Sequence, residues 1–250
     1  MKKIVSLILV LLLTTAMFAG CKKDEEVSGS GSGEPIKIGM LTPLSGDLAQ
    51  YGQAVLNAAQ LAIKAVNDKG GVNGSQVELV YYDNEADQTK SLNLFNRLVD
   101  QDKIVALIGP VISGTSLVVA PEANSKKIPM ITPTGTNTDI TVGYDYVFRA
   151  CYIDPYQGKM VAKFANEKLG AKSAVIFRNV SSDYSTGLAD AFIAGFNGEV
   201  VADEGYTQED SDFNAIITKI KDLNPDVIFI PDYFNKVGLV AKQLKEAGVT

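Results

Sequence analysis

From residue 36 onward the chain alternates two hydrophobic rhythms. Ile36 to Leu41, Val77 to Tyr82, Ile104 to Ile108 and Ile128 to Ile131 are short apolar-rich runs that read as strands. Between them, apolar residues recur at steps of three and four. Val55, Ala59, Ala62, Ile63 and Val66 predict a helix over 49–68, closed by Gly70-Gly71. Leu92, Phe95, Leu98 and Val99 predict another over 87–101, and a third is expected over 116–125. The rhythm restarts after Tyr146 to Cys151. It predicts helices over 159–169, 184–196, 213–223 and 236–247, and strands over 174–177, 199–203 and 227–230. Strands alternating with long helices imply an α/β fold whose mostly parallel sheets are covered by helices on both faces. Two such runs predict two lobes, 36–152 and 153–250, with Phe148 to Pro155 as the candidate hinge. The second run has three strands to the first run's four, and Val249-Thr250 begins what reads as another. The second lobe is therefore expected to be incomplete.

Ahead of this body, Lys2 and Lys3 precede an apolar run from Ile4 to Met17, and Phe18-Ala19-Gly20 lead into Cys21. This is the build of a secretory signal over 1–20 with small residues before its cleavage point, and too short to span a bilayer. Cys21 in that position resembles the lipidated cysteine of a bacterial lipobox, although Phe18 stands where Leu is usual. An ordinary signal peptide with a chance cysteine is the plainer reading. Diacylation would hold the protein at a membrane surface, since a single chain binds only marginally. Residues 21–35, charged at first and then alternating Ser with Gly, read as a flexible tether.

Composition narrows the chemistry. Cleavage of the signal would leave 21 basic against 29 acidic residues, a net charge of −8, which argues against a nucleic-acid partner. There is no histidine, and after Cys21 only Cys151 remains. Ser-His-Asp or Cys-His catalysis, His-ligated zinc and an intrachain disulfide are thereby excluded, and no metal or cofactor is expected. No Walker or dinucleotide-binding glycine pattern is present. An enzyme would need Asp, Glu, Lys or Tyr paired with a nucleophile, and no such pairing is visible.

In open parallel sheets, ligands bind beyond the carboxyl ends of strands. The segments predicted there hold Leu44 to Asp47 with Tyr51, Pro110 to Thr115, Thr132 to Thr138, Asp183-Tyr184 and Asp232-Tyr233. They offer hydroxyls, backbone N–H groups and tyrosines, with no lysine or arginine. Helix N-termini can hold a small carboxylate without a basic side chain. Taken singly, Ser113 and Thr136 read as helix N-caps, the tyrosines as half-buried packing residues and Cys151 as an apolar filler. Five segments with matching chemistry on one predicted edge read instead as a site.

The stretches Thr42 to Gly52 (TPLSGDLAQYG), Asn67 to Gly74 (NDKGGVNG), Ile108-Gly109 with Ser113, and Ile131 to Asn137 (ITPTGTN) resemble the type I periplasmic solute-binding proteins, most of all the leucine/isoleucine/valine-binding branch. The resemblance runs from Ile36 to Thr250. It implies a two-lobed receptor that closes on an amino acid and delivers it to the membrane permease of an ABC transporter. It also implies that Ser113 and Thr136 hold the ligand carboxylate and that the Thr134 carbonyl meets the ammonium. Tyr184 and Tyr233 would reach across from the second lobe, while Tyr51, Val111 and Ile112 pack the ligand side chain. The family's ammonium-binding carboxylate would fall beyond Thr250, and its disulfide cysteines are replaced by Ala86 and Ile112. On the same fold, the ligand could instead be a short amide, urea or an aromatic acid, or the protein could be a sensor rather than a transport component.

Overall fold

The computed structural model describes residues 33–249. The signal segment, Cys21 and nearly all of the tether lie outside the described residues, as does Thr250. The first half alternates β1 (Ile36–Thr42), α1 (Ala49–Asn67), β2 (Val77–Asp83), α2 (Gln88–Asp100), β3 (Ala106–Ile108), α3 (Ser113–Ser125) and β4 (Met130–Thr132). A 3-10 turn, Thr138–Ile140, and β5 (Val147–Arg149) follow. The second half runs α4 (Asp154–Phe164, continuing as a π-helical turn through Leu169), β6 (Ser173–Asn179), α5 (Asp183–Gly195), β7 (Glu199–Tyr206), α6 (Asn214–Leu223), β8 (Val227–Phe229) and α7 (Phe234–Glu246).

Two parallel sheets result. The first has five strands in the order β2-β1-β3-β4-β5 and the second three, β7-β6-β8. Ala150 to Ile153 carry the chain from one sheet to the other. Several predicted boundaries moved, three of them near the site. Val147–Arg149 pairs with β4 as a fifth strand, where the sequence pattern suggested only a crossing segment. The helix predicted from residue 116 begins at Ser113, and that predicted from residue 159 begins at Asp154. Pro155 lies in the first turn of α4, where its missing N–H would have had no helical partner, so it opens the helix instead of blocking it.

Each sheet buries both faces. Leu41, Phe95, Leu98, Leu107, Val119 and Met130 form the main core of the first sheet, with Met40 and Leu56 on its other side. In the second, Ile176, Ala189 and Phe192 pack on one face, and Phe177, Tyr206, Phe213 and Ile217 on the other. Each such large apolar side chain contributes about 1.5–3 kcal/mol on burial. The helices sit close to the strands where glycine allows it. A Cβ on Gly52 of α1 would lie 1.6 Å from the Pro43 carbonyl oxygen, so no other residue permits that approach.

Topology sets the position of the site. In the first sheet the chain reverses direction of winding between β1 and β3, and in the second between β6 and β8. A crevice opens beyond the carboxyl ends of strands at such a switch point. The two crevices face each other across the crossing segment.

Candidate ligand-binding cleft

The first sheet's contribution is a set of loops fixed by polar contacts. After β1, the Asp83 carboxylate accepts from Leu44 N at 2.8 Å and Ser45 Oγ at 2.6 Å. Burial pushes Asp83 up, but these donors and the Glu85 N–H outweigh it and hold the carboxyl below its ordinary range. After β3, the Pro110 carbonyl accepts from Ser116 Oγ at 2.9 Å and Thr132 Oγ1 at 2.8 Å, and Thr132 Oγ1 in turn accepts from Gly135 N at 3.0 Å. Thr134 Oγ1 donates to the Val111 carbonyl. From β5, Arg149 donates to the carbonyls of Gly135, Asn137 and Thr138 and to Thr141 Oγ1. A guanidinium with several fixed acceptors suits this pinning role, because its fork is rigid.

The second sheet contributes aromatic rings. Tyr184 lies in the first turn of α5, whose cap Ser182 accepts from Ser185 N. Tyr233 precedes α7, its N–H bound by Asp232 Oδ1 at 2.7 Å, and Asp232 Oδ2 accepts from Tyr206 Oη at 2.6 Å. The Tyr184 and Tyr233 rings stack at 4.8 Å. Tyr51 of α1 meets Tyr233 edge-on at 5.7 Å and Phe234 at the same distance, so the two sheets touch through aromatic edges. Two polar contacts span the same gap: Asn137 Nδ2 to the Asp183 carbonyl at 3.2 Å and Asn235 Nδ2 to Asp47 Oδ2 at 3.3 Å.

These elements enclose a cavity of about 270 Å³. Of the eight positions expected from sequence, seven line it: Tyr51, Val111, Ile112, Thr134, Thr136, Tyr184 and Tyr233. Ser113 does not. It is buried at the start of α3, and its Oγ accepts from Asn137 N at 3.4 Å. Nor is Ser113 or Thr136 the cap of an α-helix; Ile112 caps α3, and Asn137 caps the 3-10 turn. Cys151, Tyr152 and Gln157 complete the wall, and sequence reasoning gave none of them a place in the site. All three lie on or just after the crossing between sheets, a place that the strand-edge rule does not inspect. A second cavity of about 400 Å³ shares Ile112 and Tyr233 with the first and continues toward Asp47, Asp183 and Asn235.

The cleft is apolar enough to keep its phenols neutral. Burial pushes Tyr184 up to about 12 and raises Tyr233 and Tyr51 as well. Burial likewise raises the Cys151 thiol, which leaves it a poor nucleophile. No lysine or arginine among the described residues lines the cavity. A volume at the small end of ligand pockets, with rings on one side and backbone groups and hydroxyls on the other, suits a small solute with a polar head and an apolar tail.

Comparison with known proteins agrees with this architecture. Residues 35–250 match the family model described as periplasmic binding protein. The chain is 37% identical over 216 residues to a Leu/Ile/Val-binding protein of Rhizobium johnstonii, covering 84% of this chain and 58% of that protein. It is similar, at a TM-score of 0.82 and 37% identity, to the branched-chain amino acid transporter substrate binding protein of Streptococcus pneumoniae in complex with isoleucine, with 86% of this chain and 62% of that one covered. A solute binding protein of an ABC transporter from R. palustris, in complex with benzoate, matches at a TM-score of 0.75 and 27% identity over 86% of this chain and 60% of that one. The chain thus spans about three fifths of the length of these relatives.

Proposed function

This chain belongs to the periplasmic binding protein family, and from that premise we propose that it captures a branched-chain or related amino acid outside the cytoplasm by closing two lobes, residues 36–152 and 153–250, around it. The observation that carries the reading is the convergence of Val111, Ile112, Thr134 and Thr136 with Tyr51, Tyr184 and Tyr233 on one small cavity between two sheets. The backbone groups and hydroxyls of the first sheet take the α-amino acid head, and the apolar wall takes the side chain. Burying a leucine side chain stabilises a complex by roughly 2–3 kcal/mol, so Leu, Ile and Val are favoured over Ala. One methylene is worth only about 1–3 kcal/mol, so the three are poorly separated from one another. Closure is the two-state element, and the ligand shifts it by binding the closed form better.

The whole protein, on this reading, is a substrate-binding component of an ABC transporter, tethered through a lipidated Cys21 and delivering its ligand to the membrane permease. It is a binding protein and not an enzyme, which the lack of histidine supports. Isothermal titration with L-leucine tests the site. Thr136→Ala should lower affinity about tenfold, since it removes a buried polar partner from the cavity wall. Unchanged affinity would exclude this head-group site. Cys21→Ser should release the protein from the membrane fraction, and retention there would remove the anchor from the scheme. Loss of uptake in a deletion strain separates transport from sensing.

A second reading, an aromatic acid as ligand, draws on the tyrosine-lined wall and on the benzoate held by the R. palustris relative. Titration with benzoate beside leucine decides between them.

A further inference from the structure

Helix α3 begins without a side-chain cap of its own. Ile112 stands at the N-cap and has no side-chain oxygen to offer, and the N–H groups of a first turn have no partner within their helix. This positive end of α3 borders the gap between the two sheets, where Ile112, Gly114 and Thr115 line the second cavity. Across the gap stands the N-terminus of α5, which begins at Asp183. Helices α3 and α5 are in contact, so two helix ends of like partial charge come together where the halves meet.

The Asp183 carboxylate lies at this junction. Its Oδ2 is 2.9 Å from the point where a Cβ on Gly114 would stand, and Gln88 Nε2, from the first residue of α2, reaches the same point at 2.9 Å. Glycine weakens a helix relative to alanine, and Gly114 has an ordinary helical backbone that does not call for it. Here it leaves the room in which a carboxylate from the other half lies on the first turn of α3. The Asp183 backbone is held at the same place, since its carbonyl accepts from Asn137 Nδ2 at 3.2 Å. Other carboxylates nearby are engaged or set apart. Glu85 pairs with Lys90 at 2.7 Å, and Asp47 accepts from Asn235 Nδ2. Asp154, buried with neither oxygen bonded among the described residues, lies against α5 at Gly187.

We infer that Asp183 is a latch between the lobes: a carboxylate shared by the N-termini of α3 and α5 that holds the cleft closed without touching the ligand, with Gly114 as the residue that admits it. The inference rests on the closing-receptor reading above and adds what sets the lifetime of the closed form. Asp183, Gly114 and Gln88 line the second cavity and not the one between the tyrosines, so the latch acts on any ligand alike. In the open form the carboxylate serves α5 alone, at whose first turn it stays. The contact to α3 is made only as the halves meet, and its strength therefore appears in release and not in capture. Because Asp183 is exposed, salt screens the attraction.

Stopped-flow binding of L-leucine, with benzoate in parallel, tests this on Asp183→Asn, Gly114→Ala and the double variant. Asp183→Asn should speed release about two- to fivefold, the size of one charge at a helix end, and leave association within about twofold. The difference from wild type should fade as salt is raised. Gly114→Ala turns the carboxylate away and should speed release by a similar factor. Its ligand-free melting temperature should nevertheless hold or rise, because alanine is the better helix former. The double variant should release no faster than the faster single one, since both remove one contact. Unchanged release in Asp183→Asn, or effects that multiply in the double variant, would overturn the latch and leave the ligand site standing. So would faster release in Gly114→Ala with a lowered melting temperature, which marks a merely structural role. Wild-type protein that binds neither ligand removes the closing-receptor reading and the inference with it.

Discussion

On the five-stranded side of the cleft every loop is held by directed polar bonds: Asp83 on Leu44 and Ser45, the Pro110 carbonyl under two hydroxyls, and Arg149 across residues 135–141. On the three-stranded side the loops are also tied by polar bonds, as Asp232 ties Tyr233 and Tyr206, but what meets the other half is mainly two stacked tyrosines against Tyr51. A hydrogen bond loses most of its strength with small errors of distance and angle, whereas ring contacts tolerate offset and tilt. On the proposed reading, the half that takes the polar head meets it with directed bonds, and the half that closes meets its partner with ring contacts that tolerate a less exact landing. On that reading, the bonds of the first sheet are in place before any ligand arrives, and the second sheet adds contact area on closure.

Substitutions at four positions would break or sharpen this contrast. The largest effect is expected from Arg149→Met, which unties the loop over residues 135–141. Loss of about 3 kcal/mol, roughly 6–12 °C in melting temperature, is expected by calorimetry, and a shift under about 2 °C would mean that the loop holds itself. Tyr233→Ala should cost about 1.5–2 kcal/mol in leucine binding, some ten- to thirtyfold, with the ligand-free melting temperature nearly constant; Tyr233→Phe, which keeps the ring, should stay within about threefold. Asp154→Asn should raise the melting temperature at pH 7. The folded carboxyl lies above its unfolded value, so its contribution is best at acid pH and worsens as pH rises through the folded value. The gain should accordingly vanish when melting is repeated below the unfolded carboxylate range. Asn235→Ala removes one exposed bond across the gap and should speed leucine release only about twofold in stopped flow, at about 0.5 kcal/mol.

The contrast also shows what the sequence could reveal. Helix α1 was legible to within one residue because an unbroken apolar stripe ends at Gly70-Gly71. Strand β5 was not, since three residues with an exposed Phe148 and a half-buried Arg149 carry no period to recognise. The rule that ligands meet strand ends found seven of the lining residues, because those positions follow from topology alone. It could not find Gln157 or Asp154, which depend on where α4 starts, and Pro155 disguised that start as a linker. Ser113 was legible as a strand-end hydroxyl, but only packing shows that its Oγ is taken by Asn137 N. Which hydroxyl faces a ligand and which one braces a loop is a matter of a few ångströms that no residue pattern records.

The stacked pair Tyr184–Tyr233 with Tyr51 at its edge has an optical consequence. The chain has ten tyrosines and no tryptophan, so no indole dominates the emission or drains energy from the phenols. Rings packed at 4.8 and 5.7 Å share their excited states and sit in a fixed chiral arrangement. Parting the two halves uncouples Tyr51 from Tyr233 and returns their rings to water, which alters the near-ultraviolet dichroism and the tyrosine fluorescence together. If the halves open and close as proposed, the unlabelled protein carries its own gauge of that motion, readable in a cuvette without any added dye.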